Sequence, residues 1–198
     1  FVRVSLLDFG KVQVLMAGSL LGAWTSIGNA APIDWVDVGS PGNACEIQPL
    51  GCLGGVSYAY RISKYETTNS QYTEFLNGVA TDDPYGLYAA EGYLGGMDGS
   101  YGGINRTGSP GSYSYSIKSG WENKPVTYTS FYDSIRFANW MHNGKGSGDT
   151  ETGAYTITAV GVVGNSITRN AGATVFLTSE DEWYKAAYYD ADAVAYYD

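Results

Sequence analysis

The 198 residues contain one histidine, two cysteines and six prolines, and 11 lysines and arginines stand against 20 aspartates and glutamates. Each shortage removes a class of function. One imidazole cannot build a histidine-rich metal site. A serine–histidine–aspartate triad would have to use His142, and no G-x-S-x-G elbow is present to serve it. Duplex binding needs a basic stripe to displace counterions, and a net charge of −9 with scattered cations offers none. An anionic membrane surface is disfavoured for the same reason. No G-x-x-x-x-G-K-[ST] loop or well-placed G-x-G-x-x-G cradles a nucleotide phosphate.

What is present is material for a core. Hydrophobic residues make up 44% of the chain and aromatics 15%, with 18 tyrosines and five tryptophans, while only 16% of residues are charged. That balance describes about one folded domain and argues against disorder.

The sequence opens on Phe1 rather than methionine and stops at Tyr196-Tyr197-Asp198, so both ends read as cut. After Lys11 an apolar stretch runs from Val12 to Trp24 and is followed by Gly28-Asn29-Ala30, a small-x-small cleavage site. The stretch is short for a membrane span. Residues 1–30 are therefore expected to be an export signal rather than a buried N-terminal helix, cut near Ala30, with a secreted or periplasmic product and no membrane span after its removal. Residues 31–57 form an N-terminal segment in which Cys45 and Cys52 flank a stretch with Pro49 and Gly51. In an oxidising compartment a disulfide is favoured over a metal or redox pair, which would want closer spacing and further ligands.

Three helices are announced by one device, a hydroxyl followed three residues later by an acid or amide. These are Thr68 with Gln71, Ser130 with Asp133, and Ser179 with Glu182. Behind the first, Tyr72, Phe75, Leu76 and Val79 mark one buried face. Behind the second, Phe131, Ile135 and Ala138 mark one face, and Tyr132, Arg136 and Trp140 another. Behind the third, Trp183, Ala186 and Ala187 form an apolar stripe. Short strands are expected over residues 56–62, 125–128, 154–158 and 174–177. Between Tyr85 and Trp121 the chain is rich in Gly, Ser and Tyr and is expected to be a long irregular loop ordered by its tyrosines.

Candidate chemistry dissolves on inspection. Glu180 and Glu182 lie two apart on a helix and point to different sides, so capping and dipole roles suit them better than acid–base catalysis. The acidic loop of residues 146–153 offers oxygens but lacks the spacing of an EF-hand. His142 reads as a helix-terminal residue, and Asn105-Arg106-Thr107 is a glycosylation sequon that suggests a surface loop. Glu66 and Arg136 are expected to be hydrogen-bonded structural charges.

Three segments in order resemble the sulfatase-modifying factor family, the formylglycine-generating enzyme-like proteins. They are Tyr65-Glu66-Thr67-Thr68-Asn69-Ser70-Gln71-Tyr72, then Lys124-Pro125-Val126 leading to Phe137-Ala138-Asn139-Trp140, and finally Leu177-Thr178-Ser179-Glu180-Asp181-Glu182-Trp183. The resemblance covers residues 58–198 as a C-terminally incomplete domain, with Thr178-Ser179 where the family has Pro-Thr. It implies an α+β, C-type-lectin-like fold with short strands, three capped helices and long loops. It also implies oxidation of a sulfatase cysteine to formylglycine, using molecular oxygen and a copper-binding cysteine pair, with calcium as a second metal. That pair belongs to a later part of the family's domain, and Cys45 and Cys52 precede its first motif. No catalytic, cofactor-binding or metal-ligating residue is assigned. Two functions remain: an exported domain of this family, inactive as given, with a sulfatase-like partner, or a non-catalytic extracellular module that holds a glycan or protein through Tyr101, Tyr113 and Tyr115.

Overall fold

The computed structural model describes residues 16–18, 32–49, 51–91 and 95–197. The remainder of the 1–30 segment, on which the export expectation falls, lies outside the described residues. In chain order the strands are β1 (Met16–Gly18), β2 (Trp35–Val38), β3 (Glu46–Gln48), β4 (Gly51–Leu53) and β5 (Tyr60–Ser63). Helix α1 (Asn69–Val79) follows, then a 3₁₀ turn (Gly96–Asp98), β6 (Ile104–Thr107) and β7 (Ser114–Ile117). Helices α2 (Phe131–His142) and α3 (Ala159–Gly164) precede β8 (Val175–Leu177), α4 (Glu180–Tyr188), β9 (Tyr189–Asp190) and β10 (Ala195–Tyr196).

This is a mixed α+β architecture with short strands and four helices among the described residues. One antiparallel sheet has the order β2-β5-β1-β8 and pairs Val36 with Ile62, Ile62 with Ala17, and Ala17 with Phe176. Three separate hairpins, β3-β4, β6-β7 and β9-β10, stand around it.

The three expected helices begin at their hydroxyls, and each carries a full capping box. At α1, for example, the Gln71 side chain returns a bond to the Thr68 N–H at 2.9 Å. The fourth helix, α3, was not legible because two of its six residues are glycines. Its Thr158 cap accepts from Gly161 N–H at 3.0 Å, and a Cβ on Gly161 would sit 2.2 Å from Ile167 Cδ1, so the glycine is needed for close approach.

The core joins α1 to α2 through rings. Phe75 lies 5.4 Å, centroid to centroid, from each of Tyr72, Phe137 and Trp140, in edge-on or tilted geometry. Tyr72, Phe75, Phe137 and Trp140 are all buried.

Several expectations change. Of residues 56–62 only the later part is strand, while Pro125 and Tyr155 each make a single bridge instead of a strand. The stretch expected to be irregular holds the β6-β7 hairpin, whose register pairs Asn105 with Ser116. The sequon is therefore in a strand, not a loop. On α4 the stripe is also different: Trp183 and Ala187 are exposed, and the buried residues are Glu182 and Lys185.

Candidate functional site

Helix α2 gathers one wall of a concavity. Three of its side chains and its C-cap Asn143 reach the acidic loop at residues 146–153, and their spacing puts them on neighbouring turns. Arg136 donates from Nε and Nη2 to Glu151 at 2.6 and 3.0 Å. Asn139 is fully buried and donates to the carbonyls of Thr150 and Tyr155, while its Oδ1 accepts from Tyr155 N–H at 2.7 Å. Trp140 Nε1 donates to Gly146 O at 2.8 Å, and Asn143 Nδ2 donates to Asp149 O and Thr152 O at 3.1 and 2.9 Å.

The facing wall follows α1. Asp83, at φ +50°, accepts from the N–H groups of Leu87 and Tyr88 at 2.7 and 3.1 Å and lies 3.6 Å from Arg106. The Tyr72 hydroxyl donates to Leu87 O at 2.9 Å. Between the walls lies a cleft of about 260 Å³, with Val79, Pro84, Tyr85 and Leu87 on one side and residues 147–150 on the other. Beneath it the Arg136 guanidinium stacks on Tyr85 at 4.4 Å from the ring centroid.

The charges around the cleft are set by local partners. Burial pushes the carboxyls of Asp83 and Asp133 up, against the hydrogen bonds they accept. Asp149 goes the other way, because the Thr152 hydroxyl and the Glu151 N–H donate to it. Burial works to lower Arg136, and the hydrogen-bonded Glu151 carboxylate outweighs it and holds the guanidinium above its ordinary value.

A second polar assembly ties α4 to the sheet. Glu182 receives Arg169 Nη1 at 2.7 Å, Ser179 N–H at 2.6 Å and the Tyr58 hydroxyl, while Arg169 Nη2 reaches Tyr58 at 2.8 Å. Its members satisfy one another, so it serves as a structural joint. Nothing local in the sequence marked it, because its members come from three distant segments.

The other sequence candidates are placed as follows. Cys45 and Cys52 are joined across the β3-β4 hairpin with Cα atoms 5.4 Å apart. Arg136 is buried and paired, and Glu66 is half-buried. His142 accepts Thr174 N–H at Nδ1 at 3.1 Å, binding the end of α2 to the start of β8. The Asp149 carboxylate is engaged within its own turn. Among the described residues no three His, Cys, Asp or Glu side chains converge to hold a metal ion.

The three tyrosines proposed as a binding surface are not brought together on it. Tyr115 is buried and donates to Ala80 O at 2.7 Å, and Tyr113 packs on Arg106 at 4.3 Å. Tyr101 alone of the three is exposed. The alternation of β7 turns Tyr115 inward.

The model of the family described as the sulfatase-modifying factor enzyme 1-like domain matches residues 56–197. The chain belongs to that family. No match was found among curated proteins or among solved structures. In this sulfatase-modifying factor-like chain the match takes in α1, α2 and α4 with their caps and both walls of the cleft. The copper-binding thiol pair implied by the resemblance does not fit the residues present. The two cysteines are bonded to each other, and a disulfide offers no thiolate.

Proposed function

We propose that the chain is an exported sulfatase-modifying factor-like domain, on a C-type-lectin-like scaffold, that carries out no cysteine oxidation with these residues. The observation that supports it is the Cys45–Cys52 disulfide, which occupies both cysteines and leaves no thiolate pair to activate oxygen. The disulfide also suits a secreted or periplasmic setting, and no described helix is long and apolar enough to cross a membrane. A sulfatase-like protein is the partner this reading carries. The test is incubation of the purified chain with copper, oxygen and a sulfatase-derived cysteine peptide. The peptide is expected to keep its mass, and conversion of its cysteine to the aldehyde overturns the reading.

A second reading, a module that binds a glycan or protein without turning it over, draws on a different observation. The cleft between residues 84–87 and 147–150 holds a half-exposed aromatic ring, Tyr85. A fixed ring gives contact area at little entropic cost.

A further inference from the structure

The cleft's chemistry selects a class of ligand. Tyr85 is 48% exposed although one face of its ring is covered by Arg136. Its segment is fixed by Asp83 and by Tyr72, so the outer face is held in place before any ligand arrives. Opposite stands Asp149, exposed and kept ionised by the donors of its own turn, which repels an anion. Arg136 cannot offset that repulsion, because it is buried and bound bidentately by Glu151.

Size narrows the choice further. At about 260 Å³ the cleft falls below the roughly 300–1,000 Å³ typical of sites for drug-sized ligands. It therefore suits one ring rather than an extended chain. What remains is a ring without negative charge, with an apolar face for Tyr85 and hydroxyls to donate across the gap. The Asp149 oxygens each accept one bond in the structure, which leaves lone pairs for a ligand hydroxyl. Ser147 lies on the same rim.

We propose that this cleft binds a single pyranose unit without negative charge, stacked on Tyr85 with hydroxyls donated to Asp149. The proposal rests on the binding-module reading and supplies its site and ligand class.

The test titrates the purified chain with methyl glucoside, methyl galactoside, methyl mannoside and N-acetylglucosamine, with glucuronate as the anionic counterpart. Binding is followed by NMR chemical shifts. A ring of this size is expected to bind with a Kd of about 1–10 mM. At least one neutral sugar should give saturable shifts, with glucuronate at least fivefold weaker. Tyr85→Ala should weaken binding at least tenfold, while Tyr85→Phe keeps it within about twofold, since the ring face and not the hydroxyl is used.

Absence of saturation with all four neutral sugars overturns the proposal. So does equal binding of glucuronate, or an unchanged Kd in Tyr85→Ala. Should Tyr85→Ala lose its fold, saturation transferred from the Tyr85 ring to the sugar's ring protons in the unaltered chain decides the matter, and its absence is equally fatal. Aldehyde formation in the copper assay would remove the non-oxidising reading and leave this proposal standing, since no sulfur takes part in it.

Discussion

Arg169 donates to the fully buried Glu182 carboxylate at 2.7 Å, and this contact joins the loop before β8 to helix α4. The same carboxylate caps its own helix through Ser179 N–H and receives Tyr58, so three segments meet on one side chain. Glu182→Ala strands a cation, removes a cap and leaves the Tyr58 hydroxyl without its acceptor. Breaking a buried pair costs about 3–5 kcal/mol, and the low end applies here because Arg169 can turn to solvent. Glu182→Gln keeps an acceptor for Ser179 and should cost about 1–2 kcal/mol. Urea unfolding measures both, and a Glu182→Ala loss under 1 kcal/mol would show that the joint holds nothing together.

The helices were legible in the sequence because a capping box is a local object. Thr68 and Gln71, or Ser130 and Asp133, lie three residues apart and solve their hydrogen-bond problem without distant help. The face that a helix buries is not local. Of the stripe of Trp183, Ala186 and Ala187 only Ala186 packs against the core, and Glu182 and Lys185 are buried instead, because Arg169, Tyr58 and the Ser40 carbonyl supply partners that no window around α4 contains. Strands of three or four residues fared worst, since the pairing of Ile62 with Val36 is decided across the sheet. The cleft was invisible for the same reason: Tyr85 and Asp149 face each other only after α2 has gathered the acidic loop.

Asp133 gives a signed dependence on pH. Burial raises its folded pKa above the ordinary carboxyl value of 3.8. The stability it contributes is therefore fully present below 3.8 and is lost as pH rises through the folded value. Asp133→Asn keeps an acceptor for Ser130 N–H, which the carboxylate now accepts at 2.8 Å, without the buried charge. The variant should be at least as stable as the unaltered chain at pH 7, and its advantage should vanish below the unfolded pKa. Denaturant midpoints at several pH values check this, and an advantage that grows toward acid reverses the sign of the argued effect.

The disulfide tests how far the β3-β4 hairpin depends on covalent closure. Cys45 and Cys52 are separated by seven positions, a short loop for which chain-entropy stabilisation is about 2 kcal/mol. A Cys45→Ser/Cys52→Ser double variant should lose about that much. The hairpin is also held from α4, where Asp181 accepts Gly54 N–H at 2.9 Å and Tyr184 accepts from Gln48 at 3.0 Å. Unfolding monitored by circular dichroism should accordingly remain cooperative, with a lower midpoint. A loss of all tertiary signal in the double variant would mean that the sulfurs, not α4, order this region.

Export makes a prediction on the central sheet. Strand β1 lies between β5 and β8, and the proposed cut near Ala30 would release it. Strand β5 keeps β2 on its other side, through four paired positions, whereas β1 is the only strand paired with β8 among the described residues. Loss of β1 should therefore loosen β8 more than β5. Intact mass of the secreted product should correspond to a chain beginning near Ala31. Amide exchange across Val175–Leu177 should be faster in that product than in a signal-retaining precursor, with Tyr60–Ser63 changing less. Leu177 N–H, which donates to the Tyr155 hydroxyl at 3.0 Å, should be the most protected of the three. A secreted product that retains residues 16–18 would instead make β1 a permanent strand of the sheet and end the export-signal reading.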